Sequence, residues 1–169
     1  MPNWAIHLIV PLLALLITGK KEDYKYILLL LPLAILPDLD TFVTQHRALL
    51  HNIFIPLILL ASGWIIREKR TLFVIAAIYT GSHVILDMFS GGVVLFYPLY
   101  DKITYVDISL RMSQANDLIW TFDYGFAEYG KNWMNAYGYI TDSAGTGAMA
   151  FILLAVICAV YRNRIMGHE

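Results

Sequence analysis

Apolar residues in this chain come in long runs rather than in alternation. Five runs stand out, at residues 4–18, 24–36, 49–66, 71–89 and 148–161. Unbroken apolarity predicts membrane-spanning helices, although a full span takes ~20 residues and the first, second and fifth runs are shorter. Two of these extend naturally, the second through Pro37 toward Val43 and the fifth back toward Ser143. The expected architecture is all-α: a multi-pass transmembrane helical bundle of about five spans, with residues 1–169 forming a single integral membrane domain. Residues 90–147 are the one long stretch between runs, expected as an extracytoplasmic cap inserted between spans four and five. Aromatics crowd this stretch, from Phe96 and Tyr97 through Trp120, Phe122 and Tyr124 to Trp133 and Tyr139. Trp and Tyr favour the membrane interface, so the cap is expected to lie there. Within it, Ile103, Tyr105 and Ile108 with polar residues between them hint at a strand, and Gly91-Gly92 at a turn.

Composition points the same way. The chain is 59% hydrophobic and 15% charged, with a mean hydropathy of +0.61, too apolar for an ordinary soluble domain. A formal net charge of -1 gives no basis for nucleic-acid binding. The one cysteine, Cys158, excludes an internal disulfide framework and a thiolate metal cluster. The first run lacks a basic leader and a small-residue cleavage site, and Lys20 and Lys21 follow it, so it is expected as a retained helix. Eight of the twelve Lys/Arg (Lys20, Lys21, Lys25, Arg67, Lys69, Arg70, Arg162 and Arg164) fall on one side of a five-span topology. The positive-inside rule makes that side cytoplasmic. The N-terminus is then outside and the C-terminus inside a cell membrane.

Against this background the polar residues matter most. His83 and Asp87 are four apart at the end of an apolar run, so they share a helical face. Asp38 and Asp40 end the second run, His46 and His51 open the third, and His7 interrupts the first. Topology puts all seven on the outer side, although charge counting did not use them. Ionisable groups at membrane depth are costly and mark functional sites by default. Imidazole and carboxylate without thiolate suit zinc, manganese, iron or nickel, with some tolerance for magnesium. One ion with supporting carboxylates and two ions sharing carboxylates both fit this inventory. Pro37 makes a helix break at Leu36 plausible. Arg47, four before His51, suits bidentate contact with an anionic group.

The ordered motifs Pro37-Asp38-x-Asp40, His46-Arg47-x-x-x-His51, Ser82-His83-x-x-x-Asp87 and Gly91-Gly92-x-x-x-x-Tyr97-Pro98 resemble those of the membrane-bound metal-dependent hydrolases, also described as LexA-binding, inner-membrane-associated hydrolases. His7 matches that family's early histidine. The resemblance covers roughly residues 1–100 and, more distantly, extends to zinc-dependent phospholipase C enzymes with a His-x-x-x-Asp helix. It implies a multi-pass membrane protein with a metal-dependent hydrolase site.

The combined expectation is a membrane hydrolase acting on a lipid or lipid-linked phosphoester at the outer membrane face. His7, Asp38, Asp40, His51, His83 and Asp87 are the expected ligands of one or two divalent ions, zinc foremost. Asp40 and His46 are candidates for catalytic or supporting roles, and Arg47 for binding the substrate's anionic group. The rival expectation is a metal-binding or metal-transport protein without hydrolase activity. Transport predicts a polar path to the cytoplasmic side, and the ligands instead cluster at one end. Oligomeric state is not readable from the sequence.

Overall fold

A computed structural model describes residues 4–42, 47–113 and 117–130. These residues form four helices, α1 (Trp4–Thr18), α2 (Tyr24–Leu29), α3 (Phe54–Ile65) and α4 (Arg70–Met88), interleaved with short 3-10 turns. Two strands follow, β1 (Lys102–Met112) and β2 (Leu118–Glu128). His46, the apolar run at 148–161 and the part of the expected cap beyond residue 130 lie outside the described residues.

This corrects the all-α bundle of about five spans. The first reason is length. The 15 residues of α1 and the 12 of α3 reach only ~22 and ~18 Å, against a hydrocarbon core of ~30 Å. The second reason is proline. The run from residue 24 is α-helical only to Leu29, then tightens into 3-10 turns at Leu31–Ala34 and Leu36–Phe42. Pro32 and Pro37 supply no amide hydrogen to continue an α-helical ladder. Among the described residues only Arg67–Met88 is long and apolar enough to cross a membrane. The third reason is the cap, whose described part is an antiparallel ribbon of β1 and β2 rather than helix.

The helices pack around Leu12, Leu15, Ile27, Ala34, Ile75 and Tyr79. Tyr79 is fully buried on α4, and its hydroxyl donates to the Ile27 carbonyl of α2 at 2.7 Å. That bond fixes the height of the second segment against α4. The turn at residues 47–53 is stitched to the segment after α4. Val94 N donates to Arg47 O at 2.9 Å and Ile53 N to Leu95 O at 2.9 Å. Asn52 Oδ1 accepts from the amides of Phe54 and Ile55, satisfying free donors at the start of α3.

The ribbon grows from the same place. Val93 and Thr104 exchange backbone hydrogen bonds of 3.0 and 2.8 Å, pinning its base to the end of α4. Gly92, at φ +87°, lies so close to β1 that a Cβ would sit 2.4 Å from Ile103 Cγ2 and 2.9 Å from Thr104 O. Only glycine meets both demands. Register pairs Lys102 with Glu128 at the base and Met112 with Leu118 at the tip. The exposed Lys102–Glu128 contact of 3.3 Å raises the lysine pKa through the facing carboxylate.

Replacing Tyr79 by Phe keeps the ring and leaves the Ile27 carbonyl without its donor. A loss of ~1–2 kcal/mol is expected, read as a lowered unfolding midpoint in detergent. An unchanged midpoint would show that the bond does not hold the two segments together.

Candidate metal centre

Four side chains from three segments converge at the end of α4. Asp38 comes from the 3-10 turn after Pro37, His51 from the turn before α3, and His83 and Asp87 from one face of α4. All four are buried, and one potential ligand atom from each lies within 4.8 Å of the others.

The histidine tautomers follow from what stands behind each ring. His83 Nδ1 lies 2.6 Å from the Ala34 carbonyl. A carbonyl only accepts, so Nδ1 carries the hydrogen and Nε2 of the neutral ring presents a lone pair. His51 Nδ1 lies 2.8 Å from Asp40 Oδ2, and a carboxylate imposes the same tautomer. The two Nε2 atoms then face each other at 3.1 Å. Asp38 Oδ1 is 3.4 Å from each of them. Asp87 Oδ2 is 3.1 Å from His51 Nε2 and 3.5 Å from His83 Nε2. With both rings neutral, as metal binding requires, four electron-pair donors would crowd one buried point.

A tetrahedral ion with bonds of ~2.0–2.1 Å needs donor–donor edges of ~3.3–3.4 Å. The edges involving the two imidazoles run from 3.1 to 3.5 Å, so the donor set fits a metal ion. Charge supports the fit. Among the described residues the side-chain partners of Asp38 and Asp87 are histidines and Ser90, with no lysine or arginine. Buried carboxylates without a cation are costly.

The other expected residues take different places. Asp40, fully buried, sits behind His51 and accepts from its Nδ1 and from Leu50 N at 3.2 Å. It fixes the orientation of the His51 ring and would increase its basicity toward a metal ion. His7 on α1 stacks on His83, ring centroids 3.9 Å apart, with Nε2 3.4 Å from Asp87 Oδ1. It is 1% exposed, yet among the described residues neither ring nitrogen has a hydrogen-bond partner. Arg47 is engaged with backbone carbonyls of the glycine turn. At φ +64° it aims Nη1 at Gly92 O (3.1 Å) and Nη2 at Ser90 O (3.5 Å). Gly91 makes room for it, because a Cβ there would lie 2.9 Å from Nη1.

Sequence reasoning missed three contributors. The Ala34 carbonyl is backbone and leaves no side-chain signal. Ser90 donates to Asp87 Oδ1 at 3.3 Å, three residues beyond its partner. Tyr129, after β2, has its pKa raised by burial and then by the charge of Asp40.

These features define a protein with a buried histidine–aspartate centre at one end of the longest apolar helix among the described residues. Residues 1–166 match the family described as YdjM inner membrane protein, and the chain belongs to that family. No curated protein and no solved structure matches the chain. The family description places the protein at the inner membrane and states no activity.

Asp40→Ala should weaken binding of a divalent ion by about 10- to 100-fold, the usual effect of removing a carboxylate behind a ligating histidine. Competition with a chromogenic chelator measures this. Unaltered affinity would separate Asp40 from the centre.

Proposed function

We propose that the protein is a metal-dependent hydrolase acting on a lipid or lipid-linked phosphoester at the membrane. The observation that supports this reading best is the convergence of two Nε2 lone pairs and two carboxylates on one buried point. Asp38, His51, His83 and Asp87 would hold a divalent ion there, zinc foremost by donor type and edge length. A divalent ion brings the power to acidify a water and to polarise a phosphoryl oxygen.

Four protein ligands close a tetrahedron, and closed sites are usually structural. The open chemistry belongs on the side of His7. Its Nε2 and Asp87 Oδ1 face each other without a hydrogen bond, and together they would hold a second ion with positions left for substrate. Asp87 would contribute a carboxylate oxygen to each ion. Ala34 and Asp40 hold the imidazoles rigid, and Ser90 steadies the Asp87 carboxylate.

Two features support a lipid substrate at the outer face. An apolar groove of about 410 Å³ runs beside the same stretch of α4, lined by Ile53, Pro56, Gly81, Ile85, Met88 and Leu95. It has the character to take an acyl chain. Lys20 and Lys21 follow α1, and Arg67, Lys69 and Arg70 lead into α4. Both groups sit at the ends opposite the site, as the positive-inside rule requires of an outward-facing centre.

A second reading, metal binding without hydrolysis, draws on the closed four-ligand shell. Elemental analysis of purified protein and a panel of phosphoester lipids separate the two. The expected result is bound metal, with release of phosphate or head group that stops on chelation. His83→Ala should reduce it by roughly 100-fold or more. Wild-type protein without stoichiometric metal would sink both readings. Bound metal with no turnover across the panel would favour the second.

A further inference from the structure

The ribbon is amphipathic in a way that the site does not use. Each strand has eleven residues and so spans ~36 Å. Register places Ile108 beside Phe122, Leu110 beside Trp120 and Met112 beside Leu118, all on one face because side chains alternate. This face stands bare, with Trp120 70% and Phe122 66% exposed.

The middle of the opposite face is polar, although Ile103 and Ile119 lie toward its ends. Asp107 lies directly across from Asp123, and opposed like charges are tolerable only at high dielectric. Ser109 Oγ meets Thr121 Oγ1 at 2.5 Å, and Tyr105 donates to Asp123 Oδ2 at 3.2 Å. The Asp123 charge raises the pKa of that phenol.

A two-stranded ribbon is at best marginally stable alone in water, and an apolar patch of this extent marks a membrane or protein contact. The family decides between them. The protein is of the inner membrane, and the ribbon is pinned through Val93 and Thr104 to the end of α4, the described helix able to cross. The base of the ribbon therefore lies near the end at which α4 would leave the hydrocarbon. Open sheet edges carry unpaired amides and carbonyls, so the ribbon cannot enter the core. Lying flat at the interface keeps those edges wet and sinks the aromatic face to head-group depth.

We propose that the β1–β2 ribbon lies on the lipid surface, with the Ile108–Phe122 face against the acyl boundary and the Asp107–Asp123 face toward water. Attraction is apolar rather than electrostatic. Within residues 102–128, Asp107, Asp117, Asp123 and Glu128 outnumber Lys102 and Arg111. Uncharged phosphatidylcholine therefore suffices as the surface, independently of any metal or catalysis at the centre.

The test uses full-length protein carrying Cys158→Ser and one of four substitutions, Leu110→Cys, Phe122→Cys, Ser109→Cys or Thr121→Cys. Each variant is labelled with a small fluorophore and placed in phosphatidylcholine nanodiscs, which leave both membrane faces open to solvent. Labels at 110 and 122 should be quenched by brominated acyl chains and shielded from aqueous iodide. Labels at 109 and 121 should show the reverse. Iodide quenching on both faces overturns the proposal. Shielding of 110 and 122 from both quenchers also overturns it, and identifies a covering protein segment or second copy instead.

Discussion

The hydrogen bond from His83 Nδ1 to the Ala34 carbonyl sets the rest of the centre. It fixes the tautomer, turns the Nε2 lone pair inward and locks α4 to the segment before Asp38. The carbonyl is available because of a proline. In a 3-10 turn Ala34 O would accept from residue 37, but Pro37 has no amide hydrogen. The next donor, Asp38 N, goes to Ile35 O at 3.2 Å. A buried carbonyl has to be satisfied, and the imidazole supplies the missing donor. One proline thus frees an acceptor and presents Asp38 on the next residue.

Charge then explains why the centre is built from pairs. Asp38 and Asp87 converge where no lysine or arginine reaches them among the described residues. Arg47, the nearest basic residue in sequence, is directed to the backbone of the glycine turn. It ties the loop before α3 to the loop after α4 and leaves the centre to histidines and carboxylates. Such a pocket is stable when it can take up a cation, and its rigid backing by Ala34 and Asp40 holds the donors ready.

Much of the site was legible because its residues break the apolar pattern. His83 with Asp87 declared a shared face by spacing alone, and α4 follows its predicted run almost residue for residue. His7, Asp38, Asp40 and His51 were each conspicuous as polar groups at the ends of greasy segments. Their division of labour was not legible, because Asp38 and Asp40 are the same residue type two positions apart. Only the backbone turn puts one in front of His51 and the other behind it. Span lengths were misread for the same reason, since hydropathy counts apolar residues whether or not prolines let them form one helix. The ribbon was half visible in Ile103, Tyr105 and Ile108. Its partner strand hid in an aromatic run that reads equally as an interfacial belt.

The short helices and the buried centre are one structural fact. A full-length third helix would begin near residue 49 and carry His51 on a regular helical face. Instead α3 starts at Phe54, and the turn before it folds His51 under Asp40 while Asn52 caps the late start. A full-length second helix would direct Asp38 and Asp40 to opposite sides and use the Ala34 carbonyl internally. Breaking it gives up helical hydrogen bonds, which is costly at membrane depth unless the freed groups find protein partners. Here they find them, in His83, in the Leu50 amide on Asp40, and in the bonds from Val94 and Ile53 across the loops. The departures from regular helix fall where an imidazole or a carboxylate is turned into the buried centre.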